Sequence, residues 1–578
     1  MHVPSRSSHH AWPLAWALMI CVVMVTATTG KAQETADQIV TNGVIYTMDP
    51  EIPRAEAMAI GDGRIVAVGT ADEIAARFGG SETVVEDLGG RAVIPGLIDA
   101  HAHAIGLGFA LRTLDLRGTS SAEEIAEMVH AASETRGADE WITGRGWDQN
   151  DWSVQEFPTR ELLDHGARDQ LNQPVYLTRV DGHAAWVNTR ALELAGVTAE
   201  TPDPDGGKIV RDTDGVPTGV FVDNAMALVF GEIPAPDDGE YAARLEAAQT
   251  HLLSLGVTGV HTMGDGREGV EAYYAWARAG KLKPRIVVYL DSDDEGILDW
   301  LAERGGPAAL AGPHFRVAGV KFYADGALGS RGAALLEPYS DDPGNAGLLV
   351  TPPDALAAEM TQVVGLGLQL TVHAIGDRGN RVALAAIAAA FDVHPPDHGD
   401  VDLAWQRPRI EHAQVIALDD IDRFVDLGVI ASMQPTHATS DMYWAEDRVG
   451  PDRIEGAYAW RKLRRAEVHI ACGSDFPVES ANPFYGLYAA VTRQDREGWP
   501  EGGWYPEERM TREEALACFT RDAAYAAGME AEVGTLSPGK WADYLVLDRD
   551  FMLISDGDVW RVEVLRTVIG GEVVYEVP

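Results

Sequence analysis

The sequence predicts an α/β protein: a distorted TIM (β/α)8 barrel with a composite β-sandwich domain from both termini and a long insert after the first barrel strand. Two observations support this prediction. Short apolar strands alternate with helix-like stretches through the middle of the chain, and β-rich segments with turn residues occupy both ends. A chain of 578 residues is long enough for one large barrel and a smaller domain.

Eight segments in the middle of the chain are predicted barrel strands, and eight is the number that closes a parallel barrel. They are AVIPGLIDAH, VTGVHTMG, PRIVVYLD, RVAGVKFYADG, LQLTVHAIGD, PRIEHAQ, VIASMQPTH and VHIACGSDFPV. Stretches between them, such as ALAAEMTQVVGLG and ALDDIDRFVDLG, end in glycine as helices often do. The interval from about residue 104 to 255 is too long for one helix and predicts an inserted subdomain.

The two ends of the chain are predicted to form one β-domain, from residues 34–94 and 531–578, around a barrel at 95–530. Turn pairs between β-rich runs are typical of hairpins, and the chain has three of them: Asn42-Gly43, Asp62-Gly63 and Gly570-Gly571.

Residues 1–33 have the layout of a secretory signal peptide, with Arg6 ahead of an apolar run and then small and polar residues. We therefore expect a secreted or periplasmic protein with no stable membrane anchor after cleavage. An uncleaved anchor helix is the alternative, because the run is close to a bilayer-spanning length. Beyond this segment only Cys472 and Cys518 are left, which permits one disulfide without evidence for it.

The net charge of −43 argues against nucleic acid or an anionic membrane surface as a partner, and favours a solvated acidic surface. Neither a Gly-x-Gly-x-x-Gly turn nor a Walker loop follows a strand, which disfavours a nucleotide enzyme. A small-molecule substrate is the expected partner, and a homo-oligomer is left open.

Polar residues capable of binding a metal lie at the ends of the predicted barrel strands, where barrel enzymes have their active sites. They are His101, His103, Lys321, His373, His412 and Asp475. Each residue alone has a structural explanation, since a histidine can be a hydrogen-bonded core residue and Asp475 can cap a helix. Together, at one end of one barrel, they predict a metal site.

Lys321 is the unusual member of this set, because an ammonium group repels metal ions. A desolvated lysine loses its proton readily, and the neutral amine can react with carbon dioxide to give a carbamate. Such a carboxylated Lys321 could bridge two divalent ions, one bound by His101, His103 and Asp475 and the other by His373 and His412. Imidazole-rich ligand sets suit zinc.

At this level of detail the chain resembles the amidohydrolase superfamily, and within it amidohydrolase family 3, the YtcJ-like proteins that include N-substituted formamide deformylases. The resemblance covers nearly the whole chain beyond the predicted signal. Its motifs are PGLIDAHAH, GRGWDQNDW, TRVDGHAAWVN, GVKFYADGALGSR, TVHAIGDRGNR, RIEHAQ and GSDFPVESANPF.

The resemblance implies the same two-metal arrangement, with Asp475 as ligand and general base and a metal-bridging hydroxide as nucleophile. The implied reaction is hydrolysis of a carbon–nitrogen bond, other than a peptide bond, in an amide-like small molecule. A hydrolase of a C–O bond (ester or lactone) and a deaminase are alternatives on the same scaffold. A non-catalytic periplasmic binding protein is a remoter one, disfavoured because all six positions are present.

Five further residues are candidate substrate contacts. They are His183, Trp147, Asp181, Arg331 and His437. All of them except His437 have a structural alternative: the motifs around His183 and Trp147 could simply anchor or fill the insert, and Arg331 could pair with a surface acid.

Overall fold

The computed structural model describes residues 35–137, 139–149, 152–165, 171–179, 184–204, 207–329, 331–396 and 406–577. The predicted signal segment, Asp181 and His183 lie outside these residues. At the centre is a sheet of eight parallel strands that pair with one another in chain order. These strands are β1 Leu97–Ala102, β2 Val257–Asp265, β3 Arg285–Asp291, β4 Phe315–Tyr323, β5 Gln369–Ala374, β6 Arg409–His412, β7 Ile430–Met433 and β8 Ile470–Cys472.

The sheet closes into a barrel through the segment that follows β8. The amide of Asp475 donates to the carbonyl of His101 at 2.7 Å, and the amide of His103 donates to the carbonyl of Phe476 at 2.9 Å. Closure therefore relies on backbone hydrogen bonds beyond the end of β8, which is why the barrel is distorted. The predicted fold class is confirmed, and each of the eight predicted strand segments overlaps one of the barrel strands.

Helices cover the outside of the barrel. They are Asp238–Ser254, Arg267–Arg278, Ile297–Glu303, Pro353–Gly365, Asp377–Val393, Ile421–Asp426, Pro435–Asp441, Ala445–Arg453, Trp460–Arg465, Pro483–Thr492, Arg512–Cys518 and Arg521–Ala526. Two of the glycines that predicted helix ends, Gly367 and Gly428, have φ of 71° and 62°. This left-handed conformation is the one that glycine allows at a helix C-terminus.

The two ends of the chain meet in a six-stranded sheet. Its strands, in spatial order, are Glu572–Glu576, Val564–Ile569, Tyr544–Leu547, Ala92–Pro95, Val44–Tyr46 and Arg54–Ala55. A second sheet has the order Arg64–Gly69, Ala57–Gly61, Gln38–Thr41 and Val84–Asp87, beside the helix Ala71–Phe78. Buried residues of both sheets, including Val40, Ile60, Val93 and Tyr544, share one apolar cluster. The expected composite sandwich is thus present.

Two of the three predicted hairpins are confirmed. Asp62-Gly63 and Gly570-Gly571 each join antiparallel neighbours, and all four residues have positive φ as a type I′ turn requires. The prediction at Asn42-Gly43 is wrong, because the strands on either side lie in different sheets. Of this pair only Asn42 has positive φ, and a Cβ at Gly43 would lie 2.7 Å from Leu88. The turn therefore connects a strand of one sheet to a strand of the other.

The segment AVIPGLIDAH, predicted as one strand, is two strands separated at Gly96. Its first half, Ala92–Pro95, belongs to the terminal sheet, and its second half is β1. A Cβ at Gly96 would lie 2.2 Å from Oγ1 of Thr258, so glycine is required for the close passage of the chain past β2.

Between β1 and β2 the insert has a sheet of its own. Its strands, in spatial order, are Gly207–Arg211, Pro217–Asp223, Ala184–Val187, Val175–Arg179, Ile142–Trp147 and Leu114–Asp115. Its helices are Ala104–Arg112, Ala122–Ser133, Arg160–His165, Thr189–Leu194 and Ala227–Phe230. Among the helices of the described ranges, none combines the length and apolar character needed to cross a bilayer.

The two cysteines left open by the sequence form a disulfide. Cys472 is the last residue of β8 and Cys518 the last residue of a neighbouring helix, and both are buried. The bridge therefore fastens the strand that leads to Asp475 to the outer layer of the barrel.

Candidate metal centre

The six predicted ligands come from five barrel strands whose carboxyl ends meet at one mouth. His101, Lys321, His373 and His412 lie within β1, β4, β5 and β6 near their ends, while His103 and Asp475 follow β1 and β8. His101, Lys321, His412 and Asp475 are buried, whereas the side chain of His103 is 37% exposed and faces the opening.

Asp475 lies among imidazole rings. Its Oδ1 is 3.1 Å from Nε2 of His103 and 3.5 Å from Nε2 of His101, and its Oδ2 is 3.8 Å from Nε2 of His437. Oδ1 is buried, yet no described group makes a well-aligned hydrogen bond to it. A buried carboxylate oxygen without a hydrogen bond is costly unless a cation satisfies it.

A second pair of histidines completes the cluster. The ring centroids of His373 and His412 are 4.5 Å apart, and those of His101 and His412 are 4.8 Å apart. Ligand atoms of His101, His412 and Asp475 all lie within 4.8 Å of one another. Imidazole nitrogen and carboxylate oxygen are ordinary donors for zinc and related divalent ions, so this donor set fits such an ion.

The electrostatics favour neutral His373 and His412 beside an ionised Asp475. Burial and the charge of Lys321 lower the pKa of His373 to about 3, and burial together with His373 holds the pKa of His412 well below its usual value. Burial alone raises the pKa of Asp475, but the neighbouring imidazoles of His101 and His103 outweigh it and bring that pKa well below normal. Neutral imidazole and ionised carboxylate are the forms that bind metal ions.

Lys321 lies inside the barrel, 2% exposed. Within the described ranges, no carboxylate lies within 4.0 Å of its Nζ, and the centroid of the Tyr323 ring is 5.2 Å from that nitrogen. Burial lowers the pKa of Lys321, which favours the neutral amine.

Two of the predicted ligands have an unusual backbone conformation, with φ of 72° at His412 and 61° at Asp475. Left-handed backbone in residues other than glycine costs roughly 1–3 kcal/mol and concentrates at functional sites. At His412 its effect is visible: Glu411 and His412 are consecutive, yet both lie against His101. In a regular strand their side chains would point to opposite faces.

A profile of the amidohydrolase family matches residues 84–575. The chain belongs to the amidohydrolase family. YtcJ of Bacillus subtilis (strain 168) is 33% identical to this amidohydrolase over 539 residues, covering 92% of this chain and 98% of YtcJ. The N-substituted formamide deformylase of Arthrobacter pascens is 27% identical over 554 residues, covering 93% of this chain and 98% of that enzyme.

Among solved structures, an uncharacterized metal-dependent hydrolase from Pyrococcus furiosus matches with a TM-score of 0.73 and 33% identity. The match covers 89% of this chain and 99% of that one. These comparisons confirm the predicted family and the predicted enzyme class.

Of the candidate substrate contacts in this amidohydrolase, His437 is brought to the cluster. It lies on the helix after β7, and its ring stacks on His412 with centroids 5.9 Å apart. Its Nε2 is buried and makes no hydrogen bond to any described group.

Trp147 and Arg331 have the structural roles that the sequence offered as alternatives to substrate binding: one fills the core of the insert and the other pairs with an acidic residue. The Trp147 indole is fully buried in the insert core against Trp152 and Trp186, and its Nε1 donates to the Leu177 carbonyl. Arg331 forms an ion pair with Asp341 at 2.8 Å. A role in substrate binding stays a prediction for both residues.

Two further buried carboxylates belong to the site, and the sequence predicted no role for either. Asp99 accepts hydrogen bonds from the amides of His101 and Ser474 and from the Ser474 hydroxyl, and so joins β1 to the segment that carries Asp475. Glu411 lies 2.6 Å from Nδ1 of His101. Both residues stood beside predicted ligands in DAHAH and RIEHAQ, and a charged residue inside an apolar strand was the available signal.

Proposed function

We propose that this amidohydrolase hydrolyses a carbon–nitrogen bond, other than a peptide bond, in an amide-like small molecule. The observation that carries the proposal is the buried Oδ1 of Asp475, which faces two imidazole nitrogens and receives no aligned hydrogen bond from any described group. The N-substituted formamide deformylase of Arthrobacter pascens, similar over nearly its whole length, supports the choice of bond.

We infer that two divalent ions, with zinc as the favoured metal, bind in this cluster. His101, His103 and Asp475 would hold one ion, and His373 and His412 the other. When bound, such ions supply Lewis-acid polarisation of the scissile group and lower the pKa of water towards neutrality.

Lys321 is proposed to bridge the two ions as a carbamate. Its neutral amine would add to carbon dioxide, so that an N–C bond forms and one proton leaves. The support is its position: the amine is buried, has no carboxylate partner within the described ranges, and lies close enough to His101, His373 and His412 for its charge to act on all three imidazoles.

Asp475 is proposed to move the proton. Its Oδ1 faces His101 and His103, which leaves Oδ2 to take a proton from the attacking water and hand it to the leaving nitrogen. His437, 3.8 Å from Oδ2, is then suitably placed to contact the substrate beside the leaving group.

We also propose that the protein is exported, so that it works in the periplasm or outside the cell. The layout of residues 1–33 is the basis of this proposal. The Cys472–Cys518 disulfide supports it, because disulfides persist in oxidising compartments.

Metal analysis of the purified wild type and of Lys321→Ala tests the site directly. We expect about two transition-metal ions per chain in the wild type and fewer in the variant. Lys540→Ala, which removes a partly buried lysine elsewhere, serves as the control. One ion per chain, unaffected by Lys321→Ala, would rule out the lysine bridge.

A substrate panel tests the reaction. It pairs N-formyl amines and N-acyl amides with the matching esters and lactones, each assayed with the metal-loaded enzyme. Turnover of amides supports the proposal. Turnover of esters alone would assign the C–O alternative, and ammonia release from amino-heterocycles would assign deamination.

A further inference from the structure

Arg409 and Glu411 form a charged pair inside the barrel, in contact with the candidate metal centre through His101. Both residues lie on β6, and both are completely buried. Nε of Arg409 lies 2.8 Å from Oε1 of Glu411, and Nη2 donates to Oε2 at 3.1 Å. Burying two charges is expensive, so a pair at this depth calls for an explanation beyond stability.

Arg409 is held from several sides. Its guanidinium donates to the carbonyl of Ala100 in β1 at 2.5 Å, to the hydroxyl of Tyr289 in β3 at 3.1 Å and to that of Ser432 in β7 at 2.9 Å. It also lies 3.0 Å from Nδ1 of His261 in β2. These contacts fix the guanidinium, and through it they fix the Glu411 carboxylate.

Glu411 in turn contacts the first candidate ligand. Its Oε2 is 2.6 Å from Nδ1 of His101, while Nε2 of the same ring faces Asp475 Oδ1 at 3.5 Å. A carboxylate can only accept a hydrogen bond, so Nδ1 must carry the proton. In the neutral ring, which is the form that binds a metal ion, the lone pair of His101 is then on Nε2, the nitrogen that points into the cluster.

In two other candidate ligands, Nδ1 likewise contacts a group outside the set of candidate ligands. Nδ1 of His103 lies 2.9 Å from the carbonyl of Met263, and Nδ1 of His412 lies 2.8 Å from Oε1 of Gln434. Both partners are neutral oxygen acceptors. Of these three rings, therefore, His101 has the charged partner, which makes its Nε2 the most strongly donating of the three.

We propose that Glu411, held in place by Arg409, is a positioning residue that fixes the tautomer and orientation of His101 for metal binding. This inference rests on the proposed function, because it assumes that the cluster binds a divalent ion. It goes further by assigning the arginine–glutamate pair to the affinity of the site. A purely structural ion pair would leave metal binding unchanged when its charge is altered.

Glu411→Gln is the deciding substitution, since glutamine keeps the size of the side chain and removes its charge. The matched control is Glu508→Gln, another buried glutamate in an ion pair, with Lys462 at 2.6 Å and no contact to the candidate ligands. Zn²⁺ affinity is measured on the full chain by competition with a chelating dye. The absorption spectrum of the Co²⁺-loaded protein reports ligand geometry.

We expect Glu411→Gln to bind Zn²⁺ roughly 10–100-fold more weakly than the wild type, with a shifted Co²⁺ spectrum. Glu508→Gln should match the wild type in both measurements. Folded Glu411→Gln with wild-type Zn²⁺ affinity would overturn the inference. A wild type that binds no Zn²⁺ would instead overturn the proposed function, and this inference with it.

Glu411→Asp decides the matter if Glu411→Gln does not fold. Aspartate keeps the charge for Arg409 but withdraws the carboxylate from Nδ1 of His101 by one methylene. Weaker Zn²⁺ binding with unchanged circular dichroism supports the positioning role, and wild-type affinity contradicts it.

Discussion

Gly473→Ala is expected to open the barrel at the seam between β1 and β8. A Cβ at position 473 would lie 2.4 Å from the amide nitrogen of His101, 2.9 Å from its carbonyl oxygen and 2.6 Å from Oδ1 of Asp99. Two of these atoms are backbone, so no side-chain rotation relieves the overlap. To restore van der Waals contact, the two segments must separate by about 1 Å.

The expected loss of stability and activity follows from the backbone hydrogen bond that joins the two sides of this seam. The hydrogen bond from the Asp475 amide to the His101 carbonyl is 2.7 Å long, and a separation of about 1 Å breaks it. Overpacking of this kind costs about 1–3 kcal/mol of folding free energy. Because His101 and Asp475 lie on opposite sides of the seam, the same displacement should lower kcat/KM by roughly 100-fold.

The assay combines urea unfolding, Zn²⁺ content after dialysis and kcat/KM on the best substrate of the panel. Gly557→Ala is the control, because a Cβ there meets no atom within 4 Å. An unfolding free energy within about 0.5 kcal/mol of the control, with Zn²⁺ content and kcat/KM within twofold of it, would contradict this prediction.

Three further predictions concern the proposed proton carrier, an ion pair and the disulfide. Asp475→Asn should lower kcat by roughly 10²–10⁴-fold in steady-state assays, because the amide cannot accept the proton, and a threefold loss or less would contradict this. Burial raises the pKa of Glu514, but its bonds to Arg461 and Thr511 lower it to about 2, below its ordinary value of 4.5. The stabilisation from Glu514 is therefore complete above pH 4.5 and declines as the pH falls towards 2. The difference in Tm between wild type and Glu514→Gln should accordingly narrow from pH 6 to pH 3. A difference in Tm that stays constant over this range would contradict the prediction. Reducing the Cys472–Cys518 bridge should lower the unfolding free energy by about 2–4 kcal/mol in urea titrations with and without reductant, whereas free thiols in the untreated protein would show that no bridge forms.

Sequence patterns were sufficient to predict the barrel and to predict that the candidate ligands lie close together. Each predicted strand is an apolar run, and the carboxyl ends of parallel strands share one mouth. The proximity of residues such as His373 and Asp475 could therefore be predicted from the sequence alone. Family motifs in the same order added the choice of chemistry.

Other features depend on contacts that no local pattern encodes. Glu411 meets a histidine 310 residues earlier in the chain, and strand alternation places it on the face opposite His412. The left-handed φ of His412 reverses that expectation. The pair Asn42-Gly43 is typical of a hairpin turn. In the structure, however, Gly43 packs against Leu88, and the strands on either side of the pair belong to different sheets.

The sheet shared by the two ends of the chain has a consequence for biosynthesis. Ala92–Pro95 pairs with Tyr544–Leu547, a partner that leaves the ribosome roughly 450 residues later, or roughly 20–90 s at ordinary elongation rates. Until then one side of that strand is open to pairing with another chain. Gly96 alone separates it from β1, so the strand that carries His101 stays tied to an incomplete sheet until synthesis is almost finished.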